Sequence, residues 1–78
     1  MFNKRLRATR MKKKFTQQKT ADSLGIALRT YQCYEEGSRR PSYELLVQIA
    51  DLFTVPVDFL LERDDFLRSL GVSVDEFQ

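Results

Sequence analysis

The stretch TQQKTADSLGIALRTYQCYEEG, from Thr16 to Gly37, decides the fold of this chain. Thr16 carries the hydroxyl expected of a helix N-cap, and three good helix formers follow it. Gly25 comes nine residues later, where a short helix needs a residue free to take a positive φ. A second helix is predicted from about Leu28 to Glu36, and it stops at Gly37. Two short helices joined by a tight turn with a glycine are typical of a helix-turn-helix.

The side chains of this stretch divide into an inner and an outer face. Ala21 is small enough to let the second helix approach the first. The side chains predicted to face a common core are Leu24, Ile26, Tyr31 and Tyr34. The residues left on the outer face of the second helix are Leu28, Arg29, Thr30, Gln32 and Cys33. This outer face is short, polar and mixed, as expected of a surface that reads the edges of DNA bases.

Length and composition limit the chain to a small binding domain. Its 78 residues are enough for one domain, and a hydrophobic fraction of 42% is enough for one core. With one Cys and no His, we expect no disulfide framework, no ordinary zinc site and no cofactor. The same composition offers no credible nucleophile and base, so an enzyme is not expected. We find no signal peptide and no apolar run long enough to span a membrane, which predicts a cytoplasmic protein.

The two halves of the chain carry opposite charge. Residues 1–40 hold 11 Lys/Arg and 3 Asp/Glu, which gives this half a net charge of +8. Residues 41–78 hold 2 Lys/Arg and 8 Asp/Glu, which gives a net charge of −6. The net charge of the whole chain, +2, is the sum of these two opposite values. This asymmetry predicts that one surface meets a polyanion. The alternative is solvated helix faces that segregate by charge. The polyanion interpretation is favoured because the basic half also contains the helix-turn-helix.

Periodicity predicts three further helices and a short tail. The predicted helices are residues 2–13, 42–53 and 57–61. In the tail, Phe66, Leu67 and Leu70 form one apolar edge, and Gly71 has the character of a helix stop. Residues 73–76 then have the form of a capping box, so either the chain ends in a single turn or it was cut from a longer protein. The segment 70–75 also echoes 53–58, which suggests a reused turn between helices.

Over residues 2–61 the sequence resembles the Cro/cI-type (XRE-like) helix-turn-helix transcriptional regulators. The matching parts are Thr16-Gln17, Ala21, Leu24-Gly25-Ile26, Glu35, Gly37, Arg39 to Pro41, and the segments 45–52 and 55–60. The resemblance implies an all-α fold, a compact five-helix bundle of the lambda-repressor type. It also implies that the third helix enters the major groove and that the origin is prokaryotic or phage. The domain would cover residues 1–61, and residues 62–78 would form a short helical tail.

The resemblance implies a structural ion pair and a set of phosphate contacts. Arg10 on the first helix would pair with Glu35 at the end of the recognition helix, although two unrelated surface charges are the alternative. Gln17 is by resemblance a phosphate-binding residue. Together with helix N-termini and the loop after the third helix, it gives the expected phosphate-contacting set, which is Thr16, Gln17, Thr30, Ser38, Arg39, Arg40 and Tyr43.

Four residues of the third helix are expected to contact bases. Arg29 is suited to guanine, whose O6 and N7 accept a bidentate pair from arginine. Leu28 can offer only apolar contact, such as to a thymine methyl group. Gln32 and Cys33 complete the face. For Cys33 the alternative is a redox switch, but no second thiol exists in the chain to resolve it.

The chain departs from the resembled family at several positions. Glu36 stands where relatives commonly have asparagine, so its carboxylate must weaken phosphate binding or point away. Lys14 and Thr54 stand where glycine is frequent, which predicts strained turns.

Two further departures concern the core. Thr9 and Thr20 replace the usual leucines, while Tyr31 and Tyr34 are larger than the common aliphatic residues. We therefore expect the tyrosine rings to fill the space that the threonines leave. One tyrosine hydroxyl is expected to bond Thr9 or Thr20.

The sequence favours a sequence-specific regulator that binds double-stranded DNA. We expect a repressor that acts as a homodimer on a palindromic operator, with half-sites about 10–10.5 bp apart. Phe66, Leu67 and Leu70 are the expected dimer anchors. The alternative is a DNA-anchoring interaction module, of the antitoxin or anti-repressor type, whose tail binds a protein partner.

Overall fold

The computed structural model describes residues 2–77, and over these residues every regular element is helical. The elements are α1 (Phe2–Lys12), α2 (Gln17–Leu24), α3 (Leu28–Glu36), α4 (Tyr43–Phe53), α5 (Val57–Leu60), α6 (Asp64–Ser69) and a terminal 3₁₀ helix (Val74–Phe77). The predicted all-α fold with a helix-turn-helix is confirmed. Predicted helix bounds differ from these by one residue at most, as at α4, where Ser42 is the N-cap rather than the first helical residue.

Residues with a positive φ end most of the helices. They are Lys14, Gly25, Gly37, Thr54, Glu62 and Gly71. In the turn after α4, the N–H of Val55 donates to the carbonyl of Ala50 at 3.0 Å. In the turn after α6, Val72 donates to Leu67 at the same distance. The two similar segments of sequence are therefore one turn used twice, as the sequence suggested.

Thr54 is the most strained of these helix ends. Its φ is +57° and its ψ is +47°, a left-handed conformation that a β-branched residue rarely takes. Its side chain is exposed, so little packing offsets this strain. The expected strain at Lys14 is also present, with φ of +62° on an unbranched side chain.

We predict that Thr54→Gly raises the free energy of unfolding by about 0.5–1 kcal/mol, because the relief of left-handed strain exceeds the added freedom of the unfolded chain. Urea denaturation measures the change. Thr54→Ala is the control, since alanine loses the hydroxyl and the branch but keeps a Cβ in the left-handed region. Equal gains from both variants, or a loss from the glycine variant, would show that backbone strain at Thr54 is not the cause.

The core forms where α1 to α5 meet. Its fully buried or nearly buried members include Leu6, Ala21, Tyr31, Tyr34, Ile49, Ala50, Phe53, Phe59 and Leu60. Phe15 precedes the Thr16 cap and places its ring edge-to-face with Phe53, with 5.6 Å between centroids. This contact packs the residue before the α2 N-cap against α4, so α4 supports the helix-turn-helix.

The predicted bond between a tyrosine and a threonine hydroxyl is wrong. Thr9 Oγ1 donates to the carbonyl of Arg5 and Thr20 Oγ1 to that of Thr16, each at 2.8 Å. Each threonine hydroxyl thus donates its hydrogen bond to a backbone carbonyl on the preceding turn, as threonine often does in helices. Tyr31 is fully buried, and its hydroxyl forms no hydrogen bond of good geometry within the described residues.

The tail packs onto the domain instead of extending from it. Leu67 and Val74 are each only 3% exposed, and the ring of Phe77 lies 5.3 Å from that of Phe59. Leu67 is therefore a core residue, and its prediction as an exposed dimer anchor is corrected. Helix periodicity placed Leu67 on an apolar edge, but it could not show that the domain itself covers this part of the edge. The side chain of Glu76, in the predicted capping box, lies outside the described residues.

An ion pair that the sequence analysis did not predict ties the tail to α1. Arg5 Nη1 donates to Asp64 Oδ1 at 2.7 Å and also to the carbonyl of Phe59 at 3.1 Å. Its guanidinium lies over the Phe59 ring, 4.5 Å from the centroid. The hydrogen bond from Arg5 lowers the pKa of Asp64 below its usual value. A pairing across 59 residues has no local signature, so only the tertiary structure reveals it.

Candidate nucleic-acid interface

The start of α2 is capped as its sequence predicts. Thr16 Oγ1 accepts a hydrogen bond from the N–H of Lys19 at 3.0 Å, and Thr16 is exposed. The first turn of an α-helix has N–H groups without intrahelical partners and carries partial positive charge. This end of α2 can therefore hold an anion through its backbone as well as through side chains.

The outer face of α3 carries the side chains predicted to contact bases. Arg29 is exposed, and Leu28, Thr30, Gln32 and Cys33 are each partly exposed. The opposite side of α3 is fixed by Tyr31 and Tyr34, which are 0% and 5% exposed. Gly37 ends the helix with φ of +86°. The structure therefore places the whole predicted base-contacting set on the solvent side of a helix whose other side is anchored in the core.

Arg10 and Glu35 form a bidentate ion pair between α1 and α3. Arg10 Nε lies 2.6 Å from Glu35 Oε2, and Nη2 lies 3.3 Å from Oε1. A third hydrogen bond runs from Arg10 Nη1 to the carbonyl of Phe15 at 2.7 Å. The side chains of Arg10 and Glu35 are 11% and 3% exposed. The pair fixes the C-terminal end of α3 against α1 and the turn before α2.

Glu35 stays ionised despite its burial. Burial acts to raise the pKa of this carboxyl, but the hydrogen bonds from Arg10 and Gln17, together with the charge of Arg10, outweigh it, and the pKa lies below the usual 4.5. A carboxyl whose pKa is lower in the folded than in the unfolded chain stabilises the fold above the unfolded value. This stabilisation is lost as the pH falls below about 4.5 and through the folded pKa.

Gln17 connects the buried ion pair to the outer face of α3. Its Nε2 donates to Glu35 Oε1 at 3.1 Å, and its Oε1 accepts from Gln32 Nε2 at 3.3 Å. By resemblance, Gln17 was expected to bind phosphate. In the free chain both ends of this amide are instead bonded within the protein. A link of this kind needs three side chains from two helices to meet, which no linear spacing in the sequence indicates.

The loop after α3 and the start of α4 supply exposed polar and basic groups. Ser38, Arg39 and Arg40 are exposed, and Tyr43 is 73% exposed at the first position of α4. Ser42 caps α4 by accepting from the N–H of Leu45 at 3.2 Å. Among the residues that the structure describes, neither loop arginine has an ion-pair partner. Both guanidinium groups are therefore available to an external anion.

Arg7 is a candidate that the sequence analysis missed. It is exposed on α1, and it lines the same cleft as Thr16, Gln17 and Arg10. Its position three residues before Arg10, on the outer side of α1, is the signal that could have found it. The cleft thus holds a second cation beside the N-terminus of α2.

Glu36 forms an ion pair on the outer face of α3. Its Oε1 accepts from Arg29 Nη1 at 3.0 Å, with side-chain exposures of 52% for Glu36 and 69% for Arg29. The hydrogen bond from Arg29 to Glu36 raises the pKa of the guanidinium. The sequence analysis expected Glu36 to weaken phosphate binding or to point away. The structure shows a third arrangement, in which Glu36 holds the arginine expected to read guanine.

Residues 2–77 contain no group of His, Cys, Asp and Glu arranged to hold a metal ion. Within the same range, none of the helices has both the length and the apolar character needed to cross a membrane.

Comparisons with known proteins match the helix-turn-helix and its supporting helices. A family model described as helix-turn-helix matches residues 6–60. The chain is 45% identical over 64 residues to the HTH-type transcriptional regulator YqaE of Bacillus subtilis, covering 82% of this chain and 55% of YqaE. It is 53% identical over 60 residues to the HTH-type transcriptional regulator AnsR of the same organism, covering 77% and 52%.

A more distant relative is the cryptic phage CTXphi transcriptional repressor RstR of Vibrio cholerae, which is 30% identical over 65 residues, covering 83% of this chain and 59% of RstR. The chain therefore spans about half the length of the curated relatives it matches. No solved structure matches it significantly.

The family match runs from within α1 to the last residue of α5. It includes both helices of the helix-turn-helix and covers more than half of the chain. The N-cap at Thr16, the left-handed turn at Gly25 and the Arg10–Glu35 pair all lie inside it. The chain therefore belongs to the XRE-type, Cro/cI-like family of helix-turn-helix transcriptional regulators.

Proposed function

We propose that this chain binds double-stranded DNA sequence-specifically and regulates transcription. The observation that carries the proposal is the exposed outer face of α3, which has anion-binding groups on both sides. On one side is the capped N-terminus of α2 with Arg7, and on the other are Arg39, Arg40 and Tyr43. A recognition helix in the major groove needs phosphate contacts on both flanks to fix its position.

Affinity comes mainly from the phosphate contacts. The proposed partners of phosphate are Thr16, Gln17, Ser38, Arg39, Arg40 and Tyr43. Thr30, at the edge of the base-contacting set, is also proposed to contact phosphate. Gln17 contributes through its backbone N–H while its side chain positions Gln32. Binding is therefore strongly salt-dependent.

Sequence preference comes from α3. Arg29 reads guanine, Leu28 contacts a thymine methyl group, and Gln32 and Cys33 contact the neighbouring base edges. The chemistry of this face is binding alone. No cofactor has a part in the proposal.

We further propose a repressor that acts as a homodimer on a palindromic operator in a bacterial or phage-infected cytoplasm. The name of the relative RstR, a phage repressor, supports repression. After the correction at Leu67, the remaining dimer anchors are Phe66 and Leu70, which are 40% and 63% exposed on and directly after α6. A two-fold axis at this surface gives each operator two half-sites about 10–10.5 bp apart.

A second candidate is a DNA-anchoring module whose tail binds another protein, as in antitoxins or anti-repressors. The same exposed Phe66 and Leu70 favour it, because an apolar pair beside charged residues also suits a heterologous partner. Deleting the tail cannot separate the two candidates, since Leu67 and Val74 belong to the core. Point substitutions at Phe66 and Leu70 can.

The test is selection of bound duplexes from a random DNA pool, with sedimentation of the same protein at micromolar concentration. We expect a shared palindromic motif, a dimer, and conversion to monomer by Phe66→Ser with Leu70→Ser. Leu61 is 43% exposed and lines a cleft with Phe2 and Leu46, so Leu61→Ser is the matched control and should leave the dimer intact. A monomer in the unsubstituted chain that still selects a motif would reject the homodimer. A pool without a shared motif would reject sequence-specific regulation.

A further inference from the structure

An acidic side chain occupies the proposed DNA-reading face. Glu36, the last residue of α3, accepts a hydrogen bond from Arg29 Nη1 at 3.0 Å, and both side chains are more than half exposed. The two residues are seven positions apart, which is about 10 Å along the helix axis. A carboxylate in this place opposes phosphate binding in general, so its pairing with the guanine-reading arginine calls for a functional explanation.

The pair ties the Arg29 guanidinium to Glu36, at the C-terminal end of α3. Arg29 is the second residue of α3, and the N-terminal residues of a recognition helix are those that usually reach base edges. Pairing with Glu36 carries its guanidinium toward the other end of the helix. A guanine contact made from the N-terminal end of α3 is therefore at odds with the position in which Glu36 holds the guanidinium.

We propose that Glu36 is an internal competitor for the Arg29 guanidinium, and that it lowers affinity and discrimination at the base pair that Arg29 reads. The inference rests on the proposed function. On DNA with guanine at that position the ion pair breaks, so its free energy is subtracted from the gain of the new contact. On DNA without guanine the pair persists and nothing is subtracted. The competition therefore acts only on the correct sequence.

This reasoning gives the size and the sign of the effect. Exposed ion pairs usually change an equilibrium by roughly two- to fivefold. Glu36→Gln should therefore tighten binding to the guanine-bearing duplex by about that factor and leave the guanine-free duplex nearly unchanged. A carboxylate that positions Arg29 for the base would have the opposite sign, because its removal would weaken binding to the guanine-bearing duplex.

Two controls separate competition from a general change in charge. Asp51→Asn removes one exposed negative charge from α4 and leaves the α3 face intact. It should strengthen binding to both duplexes equally and only slightly. In an Arg29→Gln background, Glu36→Gln should act like Asp51→Asn, since there is no guanidinium left to release.

The experiment uses two probes. One is the duplex that the unsubstituted chain selects from a random pool. To choose the other, the selection is repeated with Arg29→Gln, and the G·C pair that is no longer preferred is identified. The second probe is the first duplex with A·T in place of that pair. Dissociation constants are measured at one fixed salt concentration for five proteins. They are the unsubstituted chain, Glu36→Gln, Asp51→Asn, Arg29→Gln and the double variant Arg29→Gln with Glu36→Gln.

We expect two- to fivefold tighter binding by Glu36→Gln on the first duplex alone, relative to Asp51→Asn. Three results would overturn the inference and leave the proposed function standing. Glu36→Gln could tighten binding to both duplexes equally, or it could weaken binding to the first. It could also have the same effect in the Arg29→Gln background as in the unsubstituted chain. If the selected pool has no shared motif, or if Arg29→Gln selects the same guanine, then Arg29 does not read a guanine. The proposed competition would then be wrong as well. These outcomes show which of the two proposals has failed.

Discussion

Replacing Arg10 with methionine is expected to lower the free energy of unfolding by ~3–5 kcal/mol, because it leaves the Glu35 carboxylate buried without its counter-ion. The side chain of Glu35 is only 3% exposed, so little water reaches its carboxylate to replace the guanidinium. The free energy of unfolding of a domain this small is itself only about 5–10 kcal/mol, so the variant approaches complete unfolding. Thermal and urea denaturation of the variant measure the loss.

The double variant Arg10→Met with Glu35→Leu should recover most of that loss, since replacing both partners by apolar groups of similar size is often nearly neutral. Asp64→Asn is the matched control at the other ion pair between α1 and a distant helix. Its partner Arg5 keeps the Phe59 carbonyl and ring and is more exposed, so its loss should be much smaller. A coupling energy near zero between Arg10 and Glu35 would contradict the argument.

The pH dependence of stability gives a second measurement of the same pair. In the unsubstituted chain, the free energy of unfolding should fall as the pH drops below about 4.5, where the unfolded chain begins to bind a proton at Glu35. Asp64, whose pKa is also lowered, contributes in the same direction below its usual 3.8. Glu35→Gln cannot bind that proton, so the slope with pH should be shallower in this variant.

Substitution of Arg29 by glutamine should weaken binding to the selected operator by roughly 5- to 150-fold, which is the range for loss of one bidentate arginine–guanine contact. Binding to sequences that lack this guanine should change far less. The preference at one base pair should disappear from a repeated selection, while the preferences elsewhere in the motif persist. Titration of labelled duplexes at fixed salt measures both effects.

Arg39→Gln is the control for Arg29, because it removes another exposed cation, from the phosphate-contacting loop. It should weaken binding to all sequences by a similar factor and reduce the slope of log K against log salt by about 0.9. If Arg29→Gln behaves in the same way, then Arg29 contacts phosphate and the base-reading assignment moves to Leu28, Gln32 or Cys33.

Local sequence determined the helices and their ends. The hydroxyls at Thr16 and Ser42 and the glycines at Gly25 and Gly37 each act within a few residues, so their effects can be read without the fold. The strain at Thr54 was equally visible, because it depends on one residue and one backbone conformation. Resemblance to a family then supplied the Arg10–Glu35 pair, which the composition and periodicity alone could not have given.

Tertiary structure decided which side chains meet across helices. The sequence could not show that Leu67 of the tail is buried against the domain, or that Arg5 reaches Asp64. The link from Gln32 through Gln17 to Glu35 also depends on how α2 and α3 pack, so the sequence could not show it either. Caps and turns are set by neighbours along the chain, whereas ion pairs and burial depend on how rigid helices pack, and packing joins residues of any separation. Sequence alone thus determined that this chain builds a third helix with a polar outer face, and packing decided which side chains hold that helix in place.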